Sequence, residues 1–328
     1  MIRKAFVLAA LLAGACATAA SADVVISGSR TRNMACSAGI CAPTAKDAVL
    51  DAADLQNMLA AGSVTITTTG TAQANNIKIA SSVTWSSSSS LTLDAYRSIV
   101  FEQRMTVPLG ADVSLATNDG GSRGALAFLV FGRLDFGGSG NPLTINGQAY
   151  ALVQTLPQLI ARIAAKPRGR FALSANYDAS ADGTYYTSPV PIAFSGAFNG
   201  LGHTISKLTI VDGSDADVGL FSSITSHGSL ASVNLTSVAI LATNDAGALA
   251  GENDGTISNA SASGHVRAAG AGGLVANSYG ALTTSKFATA PGSPDAYVFG
   301  SSFAGGLAGV NLGTIALSVA EGKTIGAL

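Results

Sequence analysis

Gly247-Ala-Leu-Ala-Gly-Glu-Asn-Asp-Gly-Thr-Ile257, Gly272-Gly-Leu-Val-Ala-Asn-Ser-Tyr-Gly-Ala-Leu282 and Gly305-Gly-Leu-Ala-Gly-Val-Asn-Leu-Gly-Thr-Ile315 are three copies of one phrase. Each has a leading glycine, a Leu anchor, a polar turn, a glycine six residues after the anchor, and an apolar residue two further on. The anchors Leu249, Leu274 and Leu307 stand 25 and 33 residues apart. A phrase returning at this period marks units that cannot bury an apolar face alone and stack on their neighbours. The unequal spacing fits rungs with loops of different length.

The same short apolar rhythm runs back through the chain. Val64-Thr-Ile66, Ile77-Lys-Ile79, Val83-Thr-Trp85, Leu91-Thr-Leu93, Ile99-Val-Phe101 and Val113-Ser-Leu115 are three-residue strands with apolar ends. Leu134-Asp-Phe136 and Leu143-Thr-Ile145 repeat the pattern, and Leu126 to Phe131 reads as a buried apolar strand. Such strands are too short for a β-sandwich of long alternating strands. The expected fold is all-β, a right-handed parallel β-helix, the hand following from the rule for parallel β connections. Two stretches break the rhythm with helical spacing, near 46–61 and 150–165. The expected division is a leader at 1–22, an N-terminal cap with a first coil block at 23–149, a helix and loop insertion at 150–193, and the repeats at 194–328.

Composition narrows the function. Charged residues are 11% of the chain, well below the ~25% of ordinary domains. Ser, Thr and Asn therefore take exposed positions that Lys and Glu usually hold. Arg3 and Lys4, the apolar run Ala5 to Ala15 and Ala20-Ser-Ala22 before Asp23 form a secretory signal, with cleavage between Ala22 and Asp23. Losing Arg3 and Lys4 leaves 16 basic against 19 acidic residues, a formal −3, with no basic footprint for nucleic acid. Export places the chain outside the cell or on its surface, or in the periplasm without an outer-membrane route. Cys36 and Cys41, an even pair with a Gly-containing spacer in an exported chain, are expected to form a local disulfide.

The stretch Phe194-Ser-Gly-Ala-Phe-Asn-Gly-Leu-Gly-His-Thr-Ile-Ser-Lys-Leu-Thr-Ile210, with Val218-Gly-Leu-Phe221 and the three repeats, resembles the GLUG-motif region of filamentous-haemagglutinin-like bacterial adhesins. Asp54-Leu-Gln-Asn-Met-Leu59, Trp85-Ser-Ser and Leu91-Thr-Leu-Asp-Ala95 also look like segments of those proteins, as does Tyr150 to Asp178. The resemblance implies an exported right-handed β-helix acting in attachment and biofilm formation, with a host or neighbouring-cell glycan or protein as partner. Of the Asn-Pro-Asn-Leu motif of two-partner secretion only Asn141-Pro142-Leu143 is present. A separate outer-membrane transporter is the expected export partner.

β-Helices also carry polysaccharide-degrading enzymes, which need converging carboxylates. The chain has three Glu, at 102, 252 and 321, and in the repeats Asp245 aligns with Gly270 and Phe303 while Asp254 aligns with Tyr279 and Leu312. No acidic column is expected, and neither a catalytic residue nor a cofactor is assigned. Asp212-Gly-Ser-Asp-Ala-Asp217 has the carboxylates for calcium but reads as an acidic turn. Tyr177, Tyr185 and Tyr186, in the loop Asn176 to Ser188, are the expected contact surface. An inert stalk is the further alternative.

Overall fold

The computed structural model describes residues 22–288 and 296–326. The leader assignment thus lies, apart from Ala22, outside the described residues. The described residues are mostly strand, an all-β architecture, with two ten-residue helices among them, Ala52–Ala61 (α1) and Leu156–Ala165 (α2), and a 3-10 turn at Ala179–Asp182.

One sheet of thirteen strands runs through the described residues, starting with the hairpin Met34–Ser37 and Ile40–Pro43. It continues through Val64–Thr67, Leu91–Asp94, Val113–Ala116 and Leu143–Ile145, then Gln148–Val153, Arg170–Leu173 and Ala197–Asn199. Ser229–Ala231, Thr256–Ser258, Ala281–Thr283 and Thr314–Ala316 complete it. Its pairings are parallel except within the first hairpin and between Leu143–Ile145 and Gln148–Val153. Between Val64 and its partner Leu91 the chain passes through strands Asn76–Ile79 and Val83–Thr84, which belong to two other sheets. The same circuit recurs through Ile99–Phe101 and Arg104–Val107, and through Leu126–Phe128 and Arg133–Phe136.

Register explains why short strands suffice. Val64, Leu91, Val113 and Leu143 stack inward as one apolar column, and Ile66, Leu93, Leu115 and Ile145 as a second, all buried. Thr65, Thr92, Ser114 and Thr144 stack outward between them. This hydroxyl ladder is where the missing surface charge went. In the second block Phe171, Phe198, Leu230, Ile257, Leu282 and Ile315 form the matching apolar column. The repeats quoted above fall into register: Gly247 beside Gly272 beside Gly305, and Ala250 beside Val275 beside Ala308.

Glycines at the strand entries form a ladder longer than the repeats. Backbone N–H groups of Ala197, Ser229, Thr256, Ala281 and Thr314 donate to the carbonyls of Gly169, Gly196, Gly228, Gly255 and Gly280 at 2.8–3.1 Å. A Cβ at Gly255, Gly280 or Gly313 would lie 2.3, 2.0 and 2.0 Å from the carbonyl oxygen of the glycine one strand earlier. Only glycine lets the turns approach this closely.

Both helices begin later than the spacing predicts. Ala48–Asp51 is a strand paired with Asp23–Ser27, and the Asp51 carboxylate accepts the Ala53 N–H at 2.9 Å, so α1 starts at Ala52. Gln148–Val153 is likewise a strand. Asn146 and Gly147, both at positive φ, make the two-residue hairpin turn that an Asn-Gly pair favours. α2 starts after Thr155, whose hydroxyl accepts the Gln158 N–H at 3.2 Å. Leu126 to Phe131 is only half a strand. Pairing stops at Phe128, and Leu129, Val130 and Phe131 are 52%, 91% and 67% exposed in a turn.

The hairpin at Asn146–Gly147 joins two differently oriented blocks. Strand direction along the long sheet reverses there. The apolar face changes too. Leu152 and Ala172 close the core of the first block, while Ala151, Val153, Phe171 and Leu173 belong to or pack on the core of the second. Val153, Phe171, Ala172 and Leu173 are all buried, as expected for strands covered on both faces. At this seam the His203 ring, 1% exposed, lies 2.9 Å (Nε2) from the Leu134 carbonyl and 3.3 Å (Nδ1) from the Asn176 Oδ1.

Candidate functional site

The loop Asn176 to Ser188 is built as a folded unit. Tyr177–Asp178 pairs with Thr204–Ser206, and Thr184–Tyr185 pairs with Thr209–Asp212. Between them Asp178 caps the 3-10 turn, accepting the Ser180 N–H at 3.0 Å, and its other oxygen meets Lys207 Nζ at 2.7 Å. The Lys207 contact, with the Ser180 donors, holds the Asp178 carboxyl down at about 2. Tyr177 and Tyr185 both turn inward and donate to the two oxygens of Asp182, the Tyr185 bond measuring 2.8 Å. Burial and the Asp182 carboxylate push the Tyr177 phenol up to about 12 and raise that of Tyr185 as well. The expected cluster thus divides. Tyr177 and Tyr185 hold the loop, and Tyr186 is 72% exposed.

Tyr186 does not stand alone. Tyr186 follows directly on the strand Thr184–Tyr185, whose partner strand Thr209–Asp212 carries the exposed Val211. From Val211 an outward row continues in register through Leu241, Arg267, Phe299 and Ile325. Beside it His265 stacks on Tyr297 with ring centroids 4.4 Å apart, and Arg267 lies 5.1 Å over the Phe299 ring. Four steps at ~4.8 Å per strand give the row from Val211 to Ile325 a length of roughly 19 Å. Sequence reading missed His265, Arg267, Tyr297 and Phe299 because they lie on two strands whose paired residues stand 32 apart in the chain. Their only signal was the alternation within Ser261–Gly272 and Tyr297–Gly305 once the register was fixed.

The acidic loops are placed as follows. Asp212 is buried, and its Oδ1 accepts the Ser214 and Asp215 N–H groups at 2.8 and 2.9 Å. The carbonyls of Ser214 and Asp215 are taken by Asn244 Nδ2 at 3.3 and 3.0 Å, while Asp212 Oδ2 is buried without a hydrogen-bond partner. Among the described residues no group of three or more His, Cys, Asp or Glu side chains is arranged to hold a metal ion. Asp245 does align with Gly270 and Phe303, as the sequence alignment gave. One strand earlier, however, Asp217 stacks on Asp245, and Asn277 donates to Asp245 at 2.8 Å. Burial, with Asp245 nearby, raises the Asp217 carboxyl; burial, Asp254 and Asp217 raise Glu252. This small carboxyl group was missed because Asp217 precedes the first quoted repeat.

Cys36 and Cys41 face each other across the first hairpin and are joined by a disulfide, with S–S 2.04 Å and Cα–Cα 4.1 Å. Asp23 opens the first strand and pairs with Lys78 at 2.7 Å, while the Ala22 carbonyl accepts the Asn75 N–H at 2.6 Å. No described helix is long and apolar enough to cross a membrane.

No family model matches the chain, and no solved structure matches it. Among curated proteins, Halomucin of Haloquadratum walsbyi (strain DSM 16790 / HBSQ001) is 44% identical over 75 residues, which is 23% of this chain. The chain spans about 1% of the length of that curated relative.

Proposed function

We propose that this chain is an exported, adhesin-type protein that uses a right-handed parallel β-helix as a stiff support for attachment, without catalysis. It would act at the cell surface or outside it, resembling the filamentous-haemagglutinin-like proteins with GLUG repeats, and a separate outer-membrane transporter would carry it out. The parallel registers and the threefold circuit through separate sheets support a coil. The reversal at Asn146–Gly147 is compatible with one hand throughout. Strand direction and the core-bearing face both invert there, and two inversions leave the winding sense unchanged.

The observation that carries the attachment reading is the outward row from Val211 through Leu241, Arg267 and Phe299 to Ile325, with His265 and Tyr297 beside it and the exposed Tyr186 just past the strand that pairs with Thr209–Asp212. Stacked rings offer flat apolar faces to sugars or to a protein surface, and Arg267 adds a fixed cation. The partner class is a glycan or protein on a host or neighbouring cell. A glycan and matrix-protein array probed with the mature chain tests this. The combined Tyr186→Ala, Tyr297→Ala and Phe299→Ala variant is expected to lose binding at least tenfold, and unchanged binding would remove the row from the reading.

Raised carboxyls at Asp217 and Glu252 favour the second reading, a polysaccharide-degrading enzyme. Release of reducing ends from acidic and neutral polysaccharides, abolished by Asp217→Asn, would establish it in place of the first.

A further inference from the structure

Arg104 and Arg133 are directly paired on adjacent parallel strands, and so are Thr106 and Asp135 two residues on. All four therefore leave the same face of that sheet, opposite the buried Met105 and Leu134. Asp135 is 9% exposed and sits between the two guanidinium groups. Arg104 Nε contacts one of its oxygens, and Arg133 Nε lies 3.2 Å from the other. A shared carboxylate that engages both Nε atoms fixes the planes of both forks and leaves their outer N–H groups directed away from it.

The second block supplies the opposite wall. Phe136 N–H donates to the Ser174 carbonyl at 3.0 Å, bringing the segment Ser174 to Asn176 alongside the strand. Asn176 Oδ1 accepts the Thr204 N–H at 3.1 Å and faces His203. With the oxygen so committed, the amide nitrogen is the end of Asn176 left to the solvent side. The result is a cleft of about 430 Å³ lined by Arg104, Thr106, Arg133, Asp135, Ser174 and Asn176. That size falls in the ~300–1,000 Å³ range of small-molecule sites. Its formal charge is +1 from two Arg and one Asp, in a chain whose surface is otherwise short of cations.

We propose that this cleft is an oxyanion-binding site, in which the outer N–H groups of Arg104 and Arg133, with the Asn176 amide, take a carboxylate or sulfate borne on a sugar. Thr106 supplies a hydroxyl at the same edge. The planar forks suit bidentate recognition, so the site discriminates acidic from neutral sugars by charge and geometry. It lies on a different sheet from the aromatic row and does not depend on the attachment reading.

The test is titration calorimetry of the mature chain with a hexuronate-containing disaccharide, a sulfated disaccharide, inorganic sulfate and a neutral disaccharide. Saturable binding of at least one oxyanion is expected, with none for the neutral sugar. The two disaccharide arms separate carboxylate from sulfate as the source. Arg104→Gln with Arg133→Gln is expected to weaken binding at least tenfold, Arg104→Lys to weaken it less, and the exposed Arg168→Gln to leave it unchanged. Should the double variant fail to fold, amide and guanidinium NMR shifts of the unaltered chain decide. Perturbations confined to Thr106, Arg133 and Asn176 with their neighbours support the site. No saturable oxyanion binding, equal binding of the neutral sugar, or shifts confined elsewhere overturns it.

Discussion

The two blocks use one long sheet in opposite ways. In the first, strand entries carry side chains: the N–H groups of Val64, Leu91 and Val113 donate to the carbonyls of Ser90, Asp112 and Pro142. Its outward positions are hydroxyls, Thr65, Thr92, Ser114 and Thr144. In the second, the entries are the glycine ladder from Gly169 to Gly313, and an adjacent sheet carries an apolar and aromatic row outward. The difference teaches that glycine here is a requirement of the tighter corner, not of stacking itself. The corner that admits no side chain leaves identity to the outer faces.

The largest effect should fall on that corner. In Gly280→Val the new side chain would start 2.0 Å from the Gly255 carbonyl oxygen, with Asp254 backbone within 2.6 Å. Backbone cannot yield as a side-chain tip can, so at least about 3 kcal/mol is expected to be lost, and folding with it. The counterpart Ser90→Ala should stay within about 0.5 kcal/mol. Urea melts of the pair decide the matter, and equal midpoints would erase the distinction between the two kinds of corner.

Next comes the seam. Leu152 lies in the core of the first block although its strand also walls the second. Leu152→Ala should cost about 2–5 kcal/mol. Because the strands at 148–173 serve both cores, it should lower both blocks together. Trp85, the chain's one tryptophan and 7% exposed, reports the first block alone. Its fluorescence and far-UV circular dichroism are expected to give one midpoint, also in Leu282→Ala, whose site is far into the second block. Separate midpoints would make the blocks independent.

Much of this fold was readable in the chain and the remainder had identifiable reasons for being hidden. Val64-Thr-Ile66 and its successors declare strands because their apolar residues alternate, and the phrase at Gly247 declares stacking because it returns. The strand at Gln148–Val153 was hidden by apolar residues at 152, 153 and 156, which fit a helix as well as a strand followed by a helix start. Local signals resolve the case: Asn146-Gly147 turns a hairpin, and Thr155-Leu-Pro-Gln158 caps a helix. Leu129, Val130 and Phe131 misled because hydrophobicity alone does not state burial. The aromatic row and the arginine pair stayed invisible because their members are joined only by a register that varies, with 20 residues from Ala151 to Phe171 but 33 from Ala281 to Thr314.

The seam also responds to acid. Burial holds the His203 imidazole below its ordinary value of 6.5, against the pull of the Leu134 carbonyl and Asp135. The unfolded chain therefore takes up a proton at His203 before the folded chain does. Stability from this group is present above about 6.5 and is lost as pH falls from there through the lowered folded value. The urea midpoint should drop between pH 7.5 and 5, and His203→Gln should flatten that dependence. An unchanged slope in the variant would move the acid sensitivity elsewhere.

The smallest effects sharpen the contrast within the tyrosine loop, where two rings brace and one faces out. Tyr185→Phe removes the hydroxyl that donates to Asp182 Oδ2 at 2.8 Å and leaves the ring packed against the second core. A partly buried bond to a carboxylate is worth about 1–2 kcal/mol, so a modest fall in stability is expected with the surface row unaltered. Tyr186→Ala removes an exposed ring and should change stability by less than about 0.5 kcal/mol, and on the proposed attachment reading it should weaken binding on the glycan and matrix-protein array. The phenols add an independent signature. Tyr177 is held up at about 12 by burial and the Asp182 carboxylate, so it stays protonated while the unfolded chain ionises near 10. Stability then falls as pH rises from about 10 toward that value. An ultraviolet phenolate titration should find Tyr177 late in the intact chain and earlier in Asp182→Asn, because the neutral amide no longer opposes the phenolate. If Asp182→Asn leaves the titration unchanged, burial and the nearby Asp178 set the shift, and the bracing carboxylate loses its role in fixing which tyrosine faces outward.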